Sequence, residues 1–128
     1  MNRLATIGLA LIVGAAVGAT AVTRLQAQSK SPGAYAIVDI SEITNPEVMK
    51  QLGPKAGPAA AAAGGKFIVR TENISALDGT PPKRFVVIGF DSMDKAKAWY
   101  TSPAQLEVNT LAKQSQKSRM FVVEGMAN

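Results

Sequence analysis

Two segments, Lys66-Phe-Ile-Val-Arg-Thr-Glu-Asn73 and Arg84-Phe-Val-Val-Ile-Gly-Phe90, form the centre of the predicted fold. Both are short and rich in β-branched and aromatic residues, which is typical of strands because such side chains suit a pleated surface. The linker between them is rich in turn residues and contains Asp78-Gly79 and Pro81-Pro82. We therefore expect the two strands to pair antiparallel.

The region before this pair predicts a strand and then a helical region. Tyr35–Ile43 is β-branched and is bounded by turn residues on both sides. Asn45 is a good N-cap residue, and Pro46 suits the first helical position. Prolines disfavour a continuous helix. We therefore expect two helical pieces with a kink or break at Gly53-Pro54 and Gly57-Pro58, the second running from Ala59 to Ala63 and ending at Gly64-Gly65.

The region after the pair predicts a second helical region and a last strand. Ser92 is placed to cap a helix with Met93, Ala96 and Tyr100 on one stripe and Trp99 beside it. Ser102 and Gln105 have the spacing of a capping box, with proline at the first helical position between them. The apolar side of this helix would continue with Leu106 and Leu111, and Arg119–Gly125 would form the fourth strand.

The resulting order is βαββαβ, which predicts an α+β fold of the ferredoxin-like kind with a four-stranded antiparallel sheet. Apolar residues fall on both sides of every strand, yet two helical regions cover only one face of a sheet. About eight apolar side chains would be left in water at roughly 1.5 kcal/mol each, a penalty on the order of 10 kcal/mol. A second copy related by two-fold symmetry would cover them, so we expect a homodimeric α/β barrel.

The start of the chain has the pattern of a secretory signal. Basic Arg3 precedes an uncharged run from Leu4 to Thr23, and Ala27 supplies a small residue for cleavage. We therefore expect a signal peptide at 1–27, a linker at 28–34, the barrel domain at 35–125 and a tail at 126–128, in a periplasmic or secreted protein. If the signal is not cleaved, residues 4–23 are long enough to hold the chain in a membrane.

Composition excludes several classes of site. The chain of 128 residues has neither cysteine nor histidine. Disulfides, Cys- or His-based zinc sites, an axial haem histidine and a Ser-His-Asp triad are therefore excluded. The formal net charge is +5, but the basic residues are scattered and do not alternate with aromatic ones. We expect no nucleic-acid partner, no metal and no cofactor.

Several separated segments resemble one bacterial family. They are Tyr35, Asn45-Pro46-Glu47, Pro58 with Gly64-Gly65-Lys66-Phe67, Arg70, Pro82-Lys83-Arg84 with Phe85-Val86-Val87-Ile88, Ala98-Trp99-Tyr100-x-Ser102-Pro103, and Ser118-Arg119-x-Phe121-Val122-Val123-Glu124-Gly125. In this order, over about Tyr35 to Gly125, they are similar to the family called domain of unknown function 1330.

This resemblance implies a dimeric α/β barrel and no particular activity. Relatives in the wider superfamily include cofactor-free monooxygenases, muconolactone isomerases and haem-dependent chlorite dismutases, so the fold does not determine the function. The chain also departs from the family pattern. Asn45 stands where the family often has Asp, Leu52 where it often has Tyr, and Ala112 where many members have Arg. A pocket supported by that arginine in relatives would be weaker or different here.

Two charged residues are candidates for chemistry. Asp39 shares a strand face with Tyr35 and Ile37, so it would face the space between two sheets, where burial would suit a general base. The alternative is an ion pair with Arg70 or Arg119 that fixes sheet register. Arg70 alternates with Ile68 and Glu72 and would orient a carboxylate or enolate ligand, or else form a salt bridge with Glu72 or Asp39.

Three aromatic residues complete the candidates. Trp99, Tyr100 and Tyr35 are possible ligand contacts, and each also fits a packing role. The main hypothesis is a small apolar or aromatic molecule held between the two sheets, with Arg70 and Asp39 orienting it. The alternatives are a cofactor-independent isomerase or monooxygenase with Asp39 as base and Arg70 at an oxyanion, or a structural envelope protein.

Overall fold

A computed structural model describes residues 31–126 of the chain. The elements are β1 (Ala34–Ile43), α1 (Pro46–Ala62), β2 (Lys66–Thr71), β3 (Arg84–Phe90), α2 (Met93–Tyr100), α3 (Pro103–Ser115) and β4 (Gln116–Glu124). The strands form one sheet in the order β2-β3-β1-β4 with every neighbouring pair antiparallel. The predicted element order and four-stranded sheet are confirmed. The predicted signal peptide lies outside the described residues, as do 28–30 of the linker and 127–128 of the tail.

The predicted break in the first helical region is wrong, because α1 runs continuously through Pro54 and Pro58. Each proline follows a glycine, which has no Cβ to collide with the proline ring, so the residue before proline keeps its helical conformation. Both prolines lie four residues apart on the exposed side of the helix. There, water can satisfy the carbonyl groups that lose their donors. The helix does end at the expected place, and Gly64 beyond it has a φ of 81°.

Helices cover one face of the sheet, and the core lies there. Its buried members are Ala36, Val38, Ile40, Ala60, Val86, Ile88, Phe90, Ala96 and Trp99. Asn45 caps α1, Ser92 caps α2 and Ser102 caps α3, each accepting a backbone N–H three residues on. These caps are those that the sequence predicts.

The inward sides of α2 and α3 differ from the prediction. Ala96 and Trp99 are the buried residues of α2, whereas Tyr100 is exposed. Leu106 is exposed as well, because α3 turns Gln105, Val108, Asn109, Ala112 and Ser115 inward instead. In a helix, residues three and four apart share a face. The inward face of α3 therefore includes polar residues that a search for an apolar stripe passes over.

The opposite face of the sheet carries apolar residues that no described element covers, and we call it the open face. Its members include Tyr35, Ile37, Val69, Phe85, Val87, Phe121 and Val123, together with Asp39 and Arg119. Phe121 is 44% exposed and Val123 39%. This is the doubly apolar sheet that the sequence predicts.

A bulge in β2 changes which face its residues occupy. Phe67 is opposite Ile88 and Val69 is opposite Val87, so Ile68 is an extra residue between them. Because Ile88 lies on the covered face and Val87 on the open one, Phe67 and Val69 lie on opposite faces, whereas a regular strand would place them on the same face. Arg70, opposite Val86, returns to the covered face.

None of the helices within residues 31–126 combines the length and apolar character needed to cross a membrane.

Candidate functional site

A cavity of about 590 Å³ lies between the covered face of the sheet and the helices. Its walls are largely apolar and include Val38, Ile40, Phe67, Val86, Ile88, Met49, Leu52, Trp99 and Val108. The residues that α1 and α3 present to it include Gly53, Ala56 and Ala112. Side chains this small leave the space between helices and sheet unfilled.

The same cavity has a charged side formed by Lys50, Arg70, Glu72 and Arg84. Arg84 faces Glu72 at 3.7 Å between Nη1 and Oε1, and Lys50 pairs with Glu47 at the surface. The Arg70 guanidinium lies over the Phe67 ring, 5.4 Å from its centroid. In a regular strand, residues three apart point to opposite faces. The bulge at Ile68 is what brings Phe67 and Arg70 to the same side.

The inner wall contains polar atoms without partners. Trp99 Nε1, Gln105 Oε1 and Gln116 Oε1 are buried and form no hydrogen bond within the described residues. All three residues line the cavity. Burying such a group unpaired costs about 1–3 kcal/mol, so each marks a place where a bound polar group would be stabilising.

The orientation of the Gln105 amide follows from its neighbours. Asn109 Nδ2 donates to the backbone carbonyl of Tyr100 at 3.2 Å, and a carbonyl can only accept. Asn109 Oδ1 is therefore free to accept, and Gln105 Nε2 donates to it at 2.9 Å. This arrangement leaves Gln105 Oε1 as an acceptor. It also means that Gln105 does not complete the predicted capping box, since its side chain turns inward while Ser102 Oγ still accepts the Gln105 N–H.

The structure places the predicted site residues in three separate locations. Arg70 and Trp99 line the cavity. Asp39 and Tyr35 lie on the open face, beside Arg119 and Val123 respectively. Tyr100 is exposed on α2 with its ring edge against Trp99, at 6.4 Å between centroids. Asp39 and Arg70 therefore cannot orient one ligand together within a protomer, because the sheet lies between them.

Asp39 is engaged by Arg119, which is its neighbour in the sheet register. Arg119 Nη2 donates to Asp39 Oδ2 at 2.7 Å. This is one of the ion pairs that the sequence offers as the alternative to a catalytic role. The predicted pairing of Arg70 with Glu72 or Asp39 does not occur, since Glu72 faces Arg84.

The cavity within one chain lies on the covered face. The predicted ligand space between two sheets, on the open face, would need a second copy and stays a prediction. Sequence reasoning missed Lys50, Arg84, Gln105 and Gln116 as lining residues. For Gln105 the signal was available but ambiguous, because its spacing from Ser102 indicated a cap. Lys50 and Arg84 resemble ordinary surface charges in sequence.

The chain has neither cysteine nor histidine, so aspartate and glutamate are the side chains to consider as metal ligands. Among the described residues, no three or more of these carboxylates lie close enough together to bind a metal ion. The polar groups that line the cavity are the guanidinium, ammonium, carboxylate, amide and indole groups of Arg70, Arg84, Lys50, Glu72, Gln105, Gln116 and Trp99.

Solved structures with a similar fold come from several organisms. A protein of unknown function from Rhodopseudomonas palustris is 13% identical, with a TM-score of 0.60 and coverage of 84% of this chain and 93% of that one. A dimeric ferredoxin-like protein of unknown function from Thermobifida fusca is 15% identical, with a TM-score of 0.53 and coverage of 74% and 92%.

A third similar structure is a cofactor-independent oxygenase from Streptomyces nogalater. It is 14% identical, with a TM-score of 0.51 and coverage of 75% of this chain and 96% of that one. At such identities the likeness is one of fold alone, and it supports the ferredoxin-like assignment. No curated protein sequence matches this chain significantly.

The sequence profile of one family matches residues 33–126, which include every strand, every helix and all of the cavity residues described above. This confirms the resemblance found in the sequence. The chain belongs to the family described as domain of unknown function, DUF1330.

Proposed function

We propose that the chain binds a small, predominantly apolar molecule in the cavity between the sheet and the helices. The observation that carries this is the cavity itself, about 590 Å³ with mostly apolar walls and a few polar groups. Small-molecule sites in proteins usually have such a composition and volumes of roughly 300–1,000 Å³. A gap of this size without an occupant would sacrifice packing contacts that helices and sheet otherwise make.

Trp99 provides a direct test, because it is the single tryptophan of the chain and lines the cavity. We expect naphthamide, a neutral aromatic probe, to change Trp99 fluorescence saturably and to bind in calorimetry. Ala112→Phe should fill the space and weaken binding by about tenfold or more. Thr110→Phe, on the exposed side of the same helix, is the matched control and should bind as the unmodified chain does.

Circular dichroism should first establish that both variants keep their helical content. If Ala112→Phe does not fold, the smaller Ala112→Leu takes its place. Unchanged affinity in a folded cavity-filling variant, or no saturable binding by the unmodified chain, would contradict the proposal.

A second copy of the chain is the occupant we propose for the open face. The face is apolar along its centre and carries the Asp39–Arg119 pair. In a two-fold dimer the same face of each copy would contact that of the other, so the apolar residues of both would be removed from water. The dimeric neighbour with the same fold supports this arrangement. The cavity lies on the other side of the sheet, so binding and dimerisation would use separate faces.

The second candidate function is a cofactor-independent enzyme of the isomerase or monooxygenase type. The similar fold of the Streptomyces nogalater oxygenase and the presence of a largely apolar cavity favour it. Arg70 would act in the cavity without Asp39, which the sheet keeps away. Recovery of a chemically changed ligand after incubation with the protein alone, by mass spectrometry, would favour catalysis over binding.

We also propose that residues 1–27 direct export, as their sequence pattern predicts. The intact mass of the protein from its own cell would show a chain that starts near Gln28 if the signal is removed. A full-length chain in the membrane fraction would favour an uncleaved segment instead.

A further inference from the structure

We infer that the ligand of the cavity carries a carboxylate group and that Arg70 binds it. This inference rests on the proposed function and specifies its ligand class. It begins from a difference among the three arginines of residues 31–126. Arg119 is paired with Asp39 and Arg84 faces Glu72, whereas no carboxylate of the described residues lies within 4.0 Å of Arg70.

Arg70 is an exposed residue whose guanidinium lies at the edge of the cavity. One side lies over the Phe67 ring, and Nη2 is 3.4 Å from the position that a Cβ on Gly53 would occupy. The side chain thus reaches from β2 to α1 at the edge of the cavity, in the room that a glycine leaves. Because the guanidinium is exposed at this edge, an anionic group of a ligand in the cavity can reach it.

The charges around the cavity favour an anion. Lys50, Arg70 and Arg84 line it. Lys50 pairs with Glu47 and Arg84 faces Glu72, so Arg70 is the positive charge that remains without a carboxylate. Low-dielectric walls beside such a group of charges strengthen the potential felt by a ligand. A carboxylate on the ligand would supply the partner that Arg70 lacks, and its two oxygens match the planar fork of a guanidinium.

The rest of the cavity favours a carboxylate over a phosphate. A phosphate carries up to two negative charges. Lys50 and Arg84 already have Glu47 and Glu72 as partners, so the single charge of Arg70 matches a carboxylate better than a doubly charged phosphate. The remaining walls are mainly apolar and suit a hydrocarbon or aromatic body. The buried Trp99 Nε1 and Gln105 Oε1 add a donor and an acceptor at the inner wall, which one hydroxyl group on the ligand could satisfy.

Naphthoate and naphthamide test the inference, because they share one ring system and differ in charge. We expect naphthoate to bind about tenfold or more tightly than naphthamide, measured by calorimetry and Trp99 fluorescence. Arg70→Gln should remove this preference and leave naphthamide affinity unchanged. Arg70→Lys should retain part of it, since the charge remains without the fork. Lys97→Gln, an equal change of charge outside the cavity, should leave both affinities as they are.

The outcomes separate the inference from the proposed function. Equal affinity for the two probes, or a preference that survives in Arg70→Gln, overturns the carboxylate inference while cavity binding stands. Absence of binding by both probes overturns both. Salt should weaken naphthoate binding more than naphthamide binding if charge carries the preference.

Discussion

Gln105 and Asn109 show how single polar residues shape the interior. Gln105 is 2% exposed and its amide is held by Asn109, which is itself held by the Tyr100 carbonyl. The chain of hydrogen bonds ties the first half of α3 to the end of α2. It leaves one Gln105 oxygen without a partner beside the cavity. Apolar side chains of the same volume at these two positions would not produce this arrangement, since they cannot form directional hydrogen bonds.

Asn109→Leu should therefore destabilise the protein although its volume is similar. Both the Gln105 amide and the Tyr100 carbonyl would lose partners, and the expected loss is about 1–3 kcal/mol in the free energy of unfolding. Urea denaturation followed by circular dichroism measures it. Gln114→Leu, which replaces an exposed amide on the same helix, is the control, and we expect a change within about 0.5 kcal/mol. Similar values for the two variants would show that the hydrogen bonds contribute nothing.

Among the elements, α1 combines two roles that usually conflict. It covers the cavity, with Met49, Leu52 and Ala56 among the lining residues, yet it contains two prolines. Its ion pair between Lys55 and Glu107 and its packing against α3 hold it in place. Each interior proline removes one backbone hydrogen bond. The helix that covers the site therefore depends on tertiary packing more than on its own backbone.

Replacing one of these prolines should stabilise the fold. Pro58→Ala restores an N–H that can donate to the Pro54 carbonyl. Alanine loses more chain entropy on folding than proline does, and this offsets part of the gain. We therefore expect a net increase of about 1–2 kcal/mol in the free energy of unfolding. Pro103→Ala, at the first position of α3, is the control and should give no gain. A loss of stability in Pro58→Ala would mean that α1 needs the proline ring for packing.

Much of the secondary structure could be predicted because it depends on local signals. The residue types at the helix caps, Asn45, Ser92 and Ser102, accept a backbone N–H of the first turn, which is a local interaction. The β-branched and aromatic residues of the strands likewise favour extended structure locally. The continuity of α1 could not, since it depends on glycines relieving the prolines that follow them. The bulge at Ile68 could not either, because isoleucine has no special preference for such a position and only pairing with β3 reveals it. The location of the cavity depends on that pairing and on which positions of α1 and α3 that face the sheet carry small residues.

In the whole molecule, the two faces of the sheet differ in what they contact. The covered face holds the core and the cavity, and the open face presents apolar residues together with one ion pair. Exposed apolar patches of this kind commonly mark an interface. With a second copy on the open face, both protomers would keep their cavities facing away from each other.

Phe121→Asp should disrupt the proposed dimer. Phe121 lies beside Ile37 at the centre of the open face, and a carboxylate there would be buried without a partner. Light scattering should give the mass of two chains for the unmodified protein and of one chain for this variant. Leu77→Asp, at a residue 99% exposed outside the sheet, is the control and should remain dimeric. A monomeric unmodified protein would contradict the dimer.

The bulge in β2 has a consequence for how the family can vary in length. Because Ile68 is an additional residue in the pairing with β3, a relative that lacks it would keep Phe67 and Arg70 on the covered face and Val69 on the open face. A single-residue deletion within a regular part of a strand would instead exchange the two faces beyond it. The pairing of β1 with β4 shifts in the same way between Ile40 and Glu42, which makes Ser41 an additional residue there. Gaps between homologous sequences should thus be tolerated at Ile68 and Ser41 and be rare in the regularly paired parts of the sheet, so these are positions where evolution can shorten the chain without losing either surface.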